Sequence, residues 1–112
     1  MKILHVDLGK EMRGGQYQVL LLMEAFAKRG HRQMLLAHRG SPLEKAAAAR
    51  GLETTPSFPA EDWDVIHAHD AHGHTRAALR GGSTPLVVSR RVAFPVRRGL
   101  TWHRSRAAPT TW

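Results

Sequence analysis

The stretch His67-Ala68-His69-Asp70-Ala71-His72-Gly73-His74 places four histidines and one aspartate within eight residues. Imidazole can ligate a metal, carry a proton or hydrogen-bond a substrate near neutral pH. His67 and His69 lie two apart, so a strand turns both rings to one side. Three chemistries fit: a metal centre, a proton-transfer site, or a strand end whose polar groups meet a hydroxylated ligand.

The stretch comes close to the H-x-H-x-D-H pattern of metallo-β-lactamase-like hydrolases. It departs at Ala71, where the aspartate belongs, and Asp70 stands one place early. A zinc site needs three or four ligands at fixed geometry. Along the chain His5, His31, His38 and His103 look isolated. The expectation is therefore no resident metal and no cofactor. His69 and Asp70 are expected to face a substrate hydroxyl, with His67 packed under a helix.

Two other groups could do chemistry. Lys10, Arg13, Gly14 and Gly15 lie in a loop ahead of an apolar helical stripe. Glycines let a backbone approach a ligand, and a helix N-terminus attracts an anion. This loop is an expected phosphate or anion site. It is not G-x-G-x-x-G, and the second strand ends in Ala37-His38-Arg39 with no acid for a ribose, so a nicotinamide site is disfavoured. Arg90 and Arg91 follow an apolar run, and arginine makes forked bonds to phosphate or carboxylate. The plain alternatives are a turn before a helix and a solvated basic loop.

The elements that must position these groups are legible. Strands are expected near 2–7, 33–37, 64–68 and 86–89, with a brief one at Leu52-Glu53-Thr54. A helix is expected over Gln16–Arg29, with Val19, Leu20, Met23, Phe26 and Ala27 as its apolar stripe and Gly30 ending it. Ser41-Pro42-Leu43-Glu44 is a helix start: a capping serine, a proline that needs no donor, and a glutamate that reaches back. A third helix is expected over His74–Arg80, ending at Gly81-Gly82. Helices alternating with apolar strands predict an α/β fold, a Rossmann-like parallel sheet with helices on both faces. In such sheets ligands bind beyond the carboxyl ends of the strands, and all three candidate groups fall there.

The chain of 112 residues fits one small domain, expected over 1–98, with an irregular tail over 99–112. It has no cysteine, which excludes disulfides and thiolate-ligated metals and fits a reducing compartment. The N-terminus is a poor signal peptide, and the longest aliphatic run, Val19–Met23, cannot span a bilayer. A cytoplasmic location is expected, with the inner membrane face as a peripheral site. Residues 1–70 hold nine basic and nine acidic residues; residues 71–112 hold eight arginines and no acid. That basic end could meet an anionic membrane surface. Nucleic acid is disfavoured, because only Phe94, Trp102 and Trp112 interleave with the arginines.

The run "MKILHVDLGKEMRGGQYQVLLLMEAFAKRGH", followed by "SPLEKAAAARG", "DWDVIHAHDAHGH" and "PLVVSRRVAFP", resembles the N-terminal domain of glycosyltransferase family 4 over residues 1–95. The resemblance lies in the order and spacing of the set. It implies the incomplete N-terminal, acceptor-side half of a retaining GT-B enzyme that moves a sugar from a nucleotide-sugar to a hydroxylated acceptor, usually without a metal. It places Gly14 and Gly15 against the donor diphosphate, and His69 and Asp70 toward the acceptor. Arg90 and Arg91 stand in a loop that often carries a functional histidine in that family. The family's second domain, with its E-x7-E motif, is not within these 112 residues, and 99–112 do not resemble it. A truncation or a shifted reading frame is expected, and no activity from this fragment. Two alternatives stay open: a basic module binding nucleic acid or anionic lipid, and a metal-dependent hydrolase built on His67, His69 and His72.

Overall fold

The computed structural model describes residues 1–89. Arg90, Arg91, the domain limit at 98 and the 99–112 tail lie outside the described residues.

Among the described residues, five strands and three helices run in the order β1 (Lys2–Val6), α1 (Gly14–Lys28), β2 (Arg32–Leu36), α2 (Pro42–Ala49), β3 (Thr54–Thr55), β4 (Val65–Ala68), α3 (Ala71–Arg80) and β5 (Leu86–Val88). All pairings are parallel, and the sheet order is β3-β2-β1-β4-β5. β1 is central and pairs Ile3 with both Gln33 and Val65. The expected α/β sheet with helices on both faces is present.

Residue alternation along the strands assigns the two faces. Leu4, Val6, Leu36 and Ile66 pack with Ala77 of α3, closed at one end by Trp63. On the other face Leu35 and Ala37 pack with Val19, Leu20 and Met23 of α1 and with Leu43 and Ala47 of α2. Each fully buried leucine contributes about 1.5–3 kcal/mol. These two clusters hold the sandwich together.

The helix ends follow the sequence in part. Gly30 adopts φ 81°, the left-handed conformation that ends α1. Ser41 Oγ accepts the Glu44 N–H at 3.2 Å, and Glu44 reaches back to the Gly40 N–H rather than to that of Ser41. The apolar stripe of α1 is narrower than expected. Ala27 is exposed and Phe26 half-buried, while Gln16 at the other end is buried. The third helix begins at Ala71, three residues before the expected His74. Asp70 is the reason: its side chain accepts the Gly73 N–H at 2.8 Å and caps the helix.

Candidate functional site

An open cleft of about 640 Å³ lies over the carboxyl ends of β1, β2 and β4. Its lining comprises Leu8, Gly9, Lys10, Glu11, Arg13 and Gln16 after β1, His38 after β2 and His72 in the first turn of α3. A shallower hollow of about 310 Å³ shares Lys10 and His38. The expected loop residues Lys10 and Arg13 are thus on the cleft wall. Arg13 pairs with Glu11, so part of the local positive charge is already balanced.

Gln16 sets the shape of this wall. Its Oε1 accepts the Arg13 N–H at 3.0 Å, and its Nε2 donates to Asp7 Oδ1 at 3.1 Å. Asp7, fully buried, also accepts the Gly9 N–H at 2.9 Å. A Cβ on Gly9 would stand 2.5 Å from Gln16 Nε2, so a side chain there would push the Gln16 amide away from Asp7. Gly14 and Gly15 differ. A Cβ on either would meet nothing within 4 Å, and neither has a positive φ. The fold itself makes no demand for glycine at these two positions. Two glycines opening a helix cost about 1 kcal/mol each relative to alanine.

The histidine stretch divides between two elements. His67 ends in β4, His69 follows it, Asp70 caps α3, and His72 and His74 ride on the helix. His72 is exposed, whereas His67 and His69 are 7% and 6% exposed. Asp70 Oδ1 also accepts the Leu8 N–H at 3.1 Å, tying the end of β1 to the start of α3. Asp70, expected to face a substrate hydroxyl, carries a structural duty, and His69 sits inside the layer between sheet and helix.

There His69 meets His5, and the sequence reading needs correction. His5 is not isolated: β1 and β4 pair with His5 opposite His67, so both rings project to the same face. His5 Nδ1 and His69 Nε2 are 3.0 Å apart, and the His67 and His69 rings lie 3.9 Å centroid to centroid. The hydrogen-bond direction follows from the neighbours. Gln33 Nε2 donates to the Met23 carbonyl at 2.8 Å, which can only accept. Gln33 Oε1 therefore accepts from His5 Nε2–H, at 2.8 Å. Burial pushes the His5 pKa down to about 4, against the opposing pull of the Gln33 bond, so the ring is neutral at pH 7. Neutral His5 with its proton on Nε2 has an acceptor at Nδ1, and His69 Nε2–H donates to it. His67 Nε2 contacts Ser89 Oγ at 2.6 Å. Asp7, Gln16 and Gln33 are not singled out by the sequence reading, whereas Ser89 is, as the first residue of the Ser89-Arg90-Arg91 segment. Only for Asp7, two residues from His5 and just past the end of β1, does the spacing give a hint.

Comparison with protein-family models, with curated proteins and with solved structures finds no match.

Proposed function

We propose that these residues form the acceptor-side domain of a retaining GT-B sugar transferase, which moves a sugar from a nucleotide-sugar to a hydroxylated acceptor. The observation that carries this reading is the cleft over the carboxyl ends of β1, β2 and β4, where an open parallel sheet takes its ligand. Lys10 and Arg13 line it, and the amino end of α1, which has no acid in its first turn, borders it. That end favours a diphosphate. Gly14 and Gly15, which the fold does not require, leave room for phosphate oxygens against the backbone. His38 and His72 on the wall supply hydrogen-bonding groups for acceptor hydroxyls. Asp70 acts from behind by fixing the first turn of α3 and with it His72. The motif order quoted above agrees with this placement.

Sugar transfer requires donor and acceptor held together in a water-poor site. These 112 residues offer one wall of such a site, so the chain alone is expected to give no transfer from nucleotide-sugars. The test is an NMR titration of the purified chain with uridine or guanosine diphosphate. Amide shifts confined to Lys10–Gln16 are expected, with affinity about tenfold weaker in the double variant Lys10→Ala/Arg13→Ala, as for the loss of a charge-assisted bond. Unmoved cleft amides at millimolar nucleotide would overturn the reading, as would sustained sugar transfer by the chain alone.

A further inference from the structure

Beneath α1, apart from the cleft wall, lie three imidazoles, of which the resemblance gives only His69 a place, toward the acceptor. His5, His67 and His69 each offer one ring nitrogen, and these nitrogens all lie within 4.8 Å of one another. We propose that His5, His67 and His69 form a buried three-imidazole site for a divalent transition metal of the zinc class.

The spacing suits such an ion. Zinc–nitrogen bonds of about 2.0–2.1 Å put two nitrogens of a tetrahedral site about 3.4 Å apart. His5 Nδ1 and His69 Nε2 are already 3.0 Å apart. The third nitrogen has to close by about 1.4 Å at most to reach that spacing. The donors also choose the metal. The chain has no thiol, and no carboxylate belongs to the group. An all-imidazole set suits zinc, copper or nickel and not calcium or magnesium.

The outer contacts are those that orient metal-bound histidines. His5 Nε2–H is held by Gln33 Oε1, and Gln33 is held in turn by the Met23 carbonyl. Ser89 Oγ touches His67 Nε2, and a hydroxyl can hold that ring in either tautomer. Binding balances without net proton release. His69 moves its ring proton from Nε2 to Nδ1, and Nε2 then gives its lone pair to the metal. His5 keeps its proton on Nε2 and ligates through Nδ1. Three buried imidazoles in a sheet–helix layer cost desolvation that aliphatic side chains in their place would not. A metal clip between the central strand β1 and its neighbour β4 is what that cost would secure. His5, distant from the histidine stretch in sequence, is brought opposite His67 by the strand register and supplies the third imidazole.

The test uses the full chain, stripped by chelator and titrated calorimetrically with Zn²⁺, and with Co²⁺ followed by visible absorption. The expected result is one ion per chain at low-micromolar affinity or tighter, a melting temperature that rises with zinc, and the d–d bands of four-coordinate cobalt(II). His5→Gln should abolish binding. Should that variant not fold, Gln33→Leu decides, because it keeps all three imidazoles and should weaken zinc binding 10–100-fold through lost ring orientation. The pair His72→Ala/His74→Ala should leave binding unchanged. Millimolar binding only, or binding lost in that pair and kept in Gln33→Leu at full strength, would overturn the proposal and mark a hydrogen-bonded core or an adventitious surface chelate. Neither readout involves a nucleotide or a sugar, so this site and the cleft can fail separately.

Discussion

The same strands present two unlike faces. Toward α3 the sheet shows Leu4, Val6, Leu36 and Ile66, an apolar layer closed by Trp63. Toward α1, one residue along, β1 and β4 show His5, Asp7, His67 and His69, joined to Gln16, Gln33 and Ser89. The first face is held by area, which is indifferent to pH and tolerant of partner identity. The second is held by directed hydrogen bonds that depend on one another. Where α1 and α2 meet β2 this second face returns to aliphatic packing, through Leu35 and Ala37. The difference teaches where chemistry can be kept in a small domain: one face supplies the stability that lets the other hold polar groups.

The largest effect should come from the apolar face. Leu4 is fully buried, and Leu4→Ala should cost about 2–5 kcal/mol, read as a lower denaturation midpoint with the slope unchanged. The loss should be the same at pH 7 and pH 5. If it varied with pH, the two faces would not be energetically separate.

The polar face should respond to acid. His5 has its pKa pushed down to about 4 in the folded protein, below the ordinary 6.5 that it regains on unfolding. The unfolded chain therefore takes up a proton that the native one refuses. His5's contribution is complete above pH 6.5 and is lost progressively as pH falls toward 4. The total is about 3 kcal/mol, measured by denaturation at stepped pH values. His5→Gln should flatten that part of the profile. An unchanged slope in this variant would assign the acid sensitivity to other groups.

A smaller effect tests how closely α3 rides on the apolar face. A Cβ on Gly73 would stand 2.5 Å from Asp70 Oδ1 and 2.8 Å from the Val6 carbonyl oxygen. Gly73→Ala should cost about 1–3 kcal/mol by forcing the helix outward. A neutral result would mean that the cap at Asp70 and the packing of Ala77 adjust independently of β1.

The apolar face was easier to read from sequence than the polar one, for a physical reason. Strand positions follow from runs such as Lys2–Val6 and Val65–Ala68, and helix limits from Ser41, Gly30 and Gly51, all local signals. The third helix starts before the expected His74 because Asp70 caps it, and that capping bond to Gly73 N–H is an equally local signal. The histidine layer was hidden because it depends on register. Nothing near His5 in the sequence announces that β4, some sixty residues on, will set His67 opposite it. Gln33 was read only as the first residue of a strand, and its amide gains meaning once His5 stands beside it.

The central place of β1 has a consequence for biosynthesis. Ile3 is made well before one of its two neighbours, Val65, leaves the ribosome. At ordinary elongation rates of about 5–20 residues per second, that wait is on the order of 3–12 s. Once β2 has emerged, the apolar strand Lys2–Val6 has it on one side and an unsatisfied row of amides and carbonyls on the other. Nascent chains caught in this interval are natural clients for a ribosome-associated chaperone, and slowing translation ahead of Val65 would prolong their exposure.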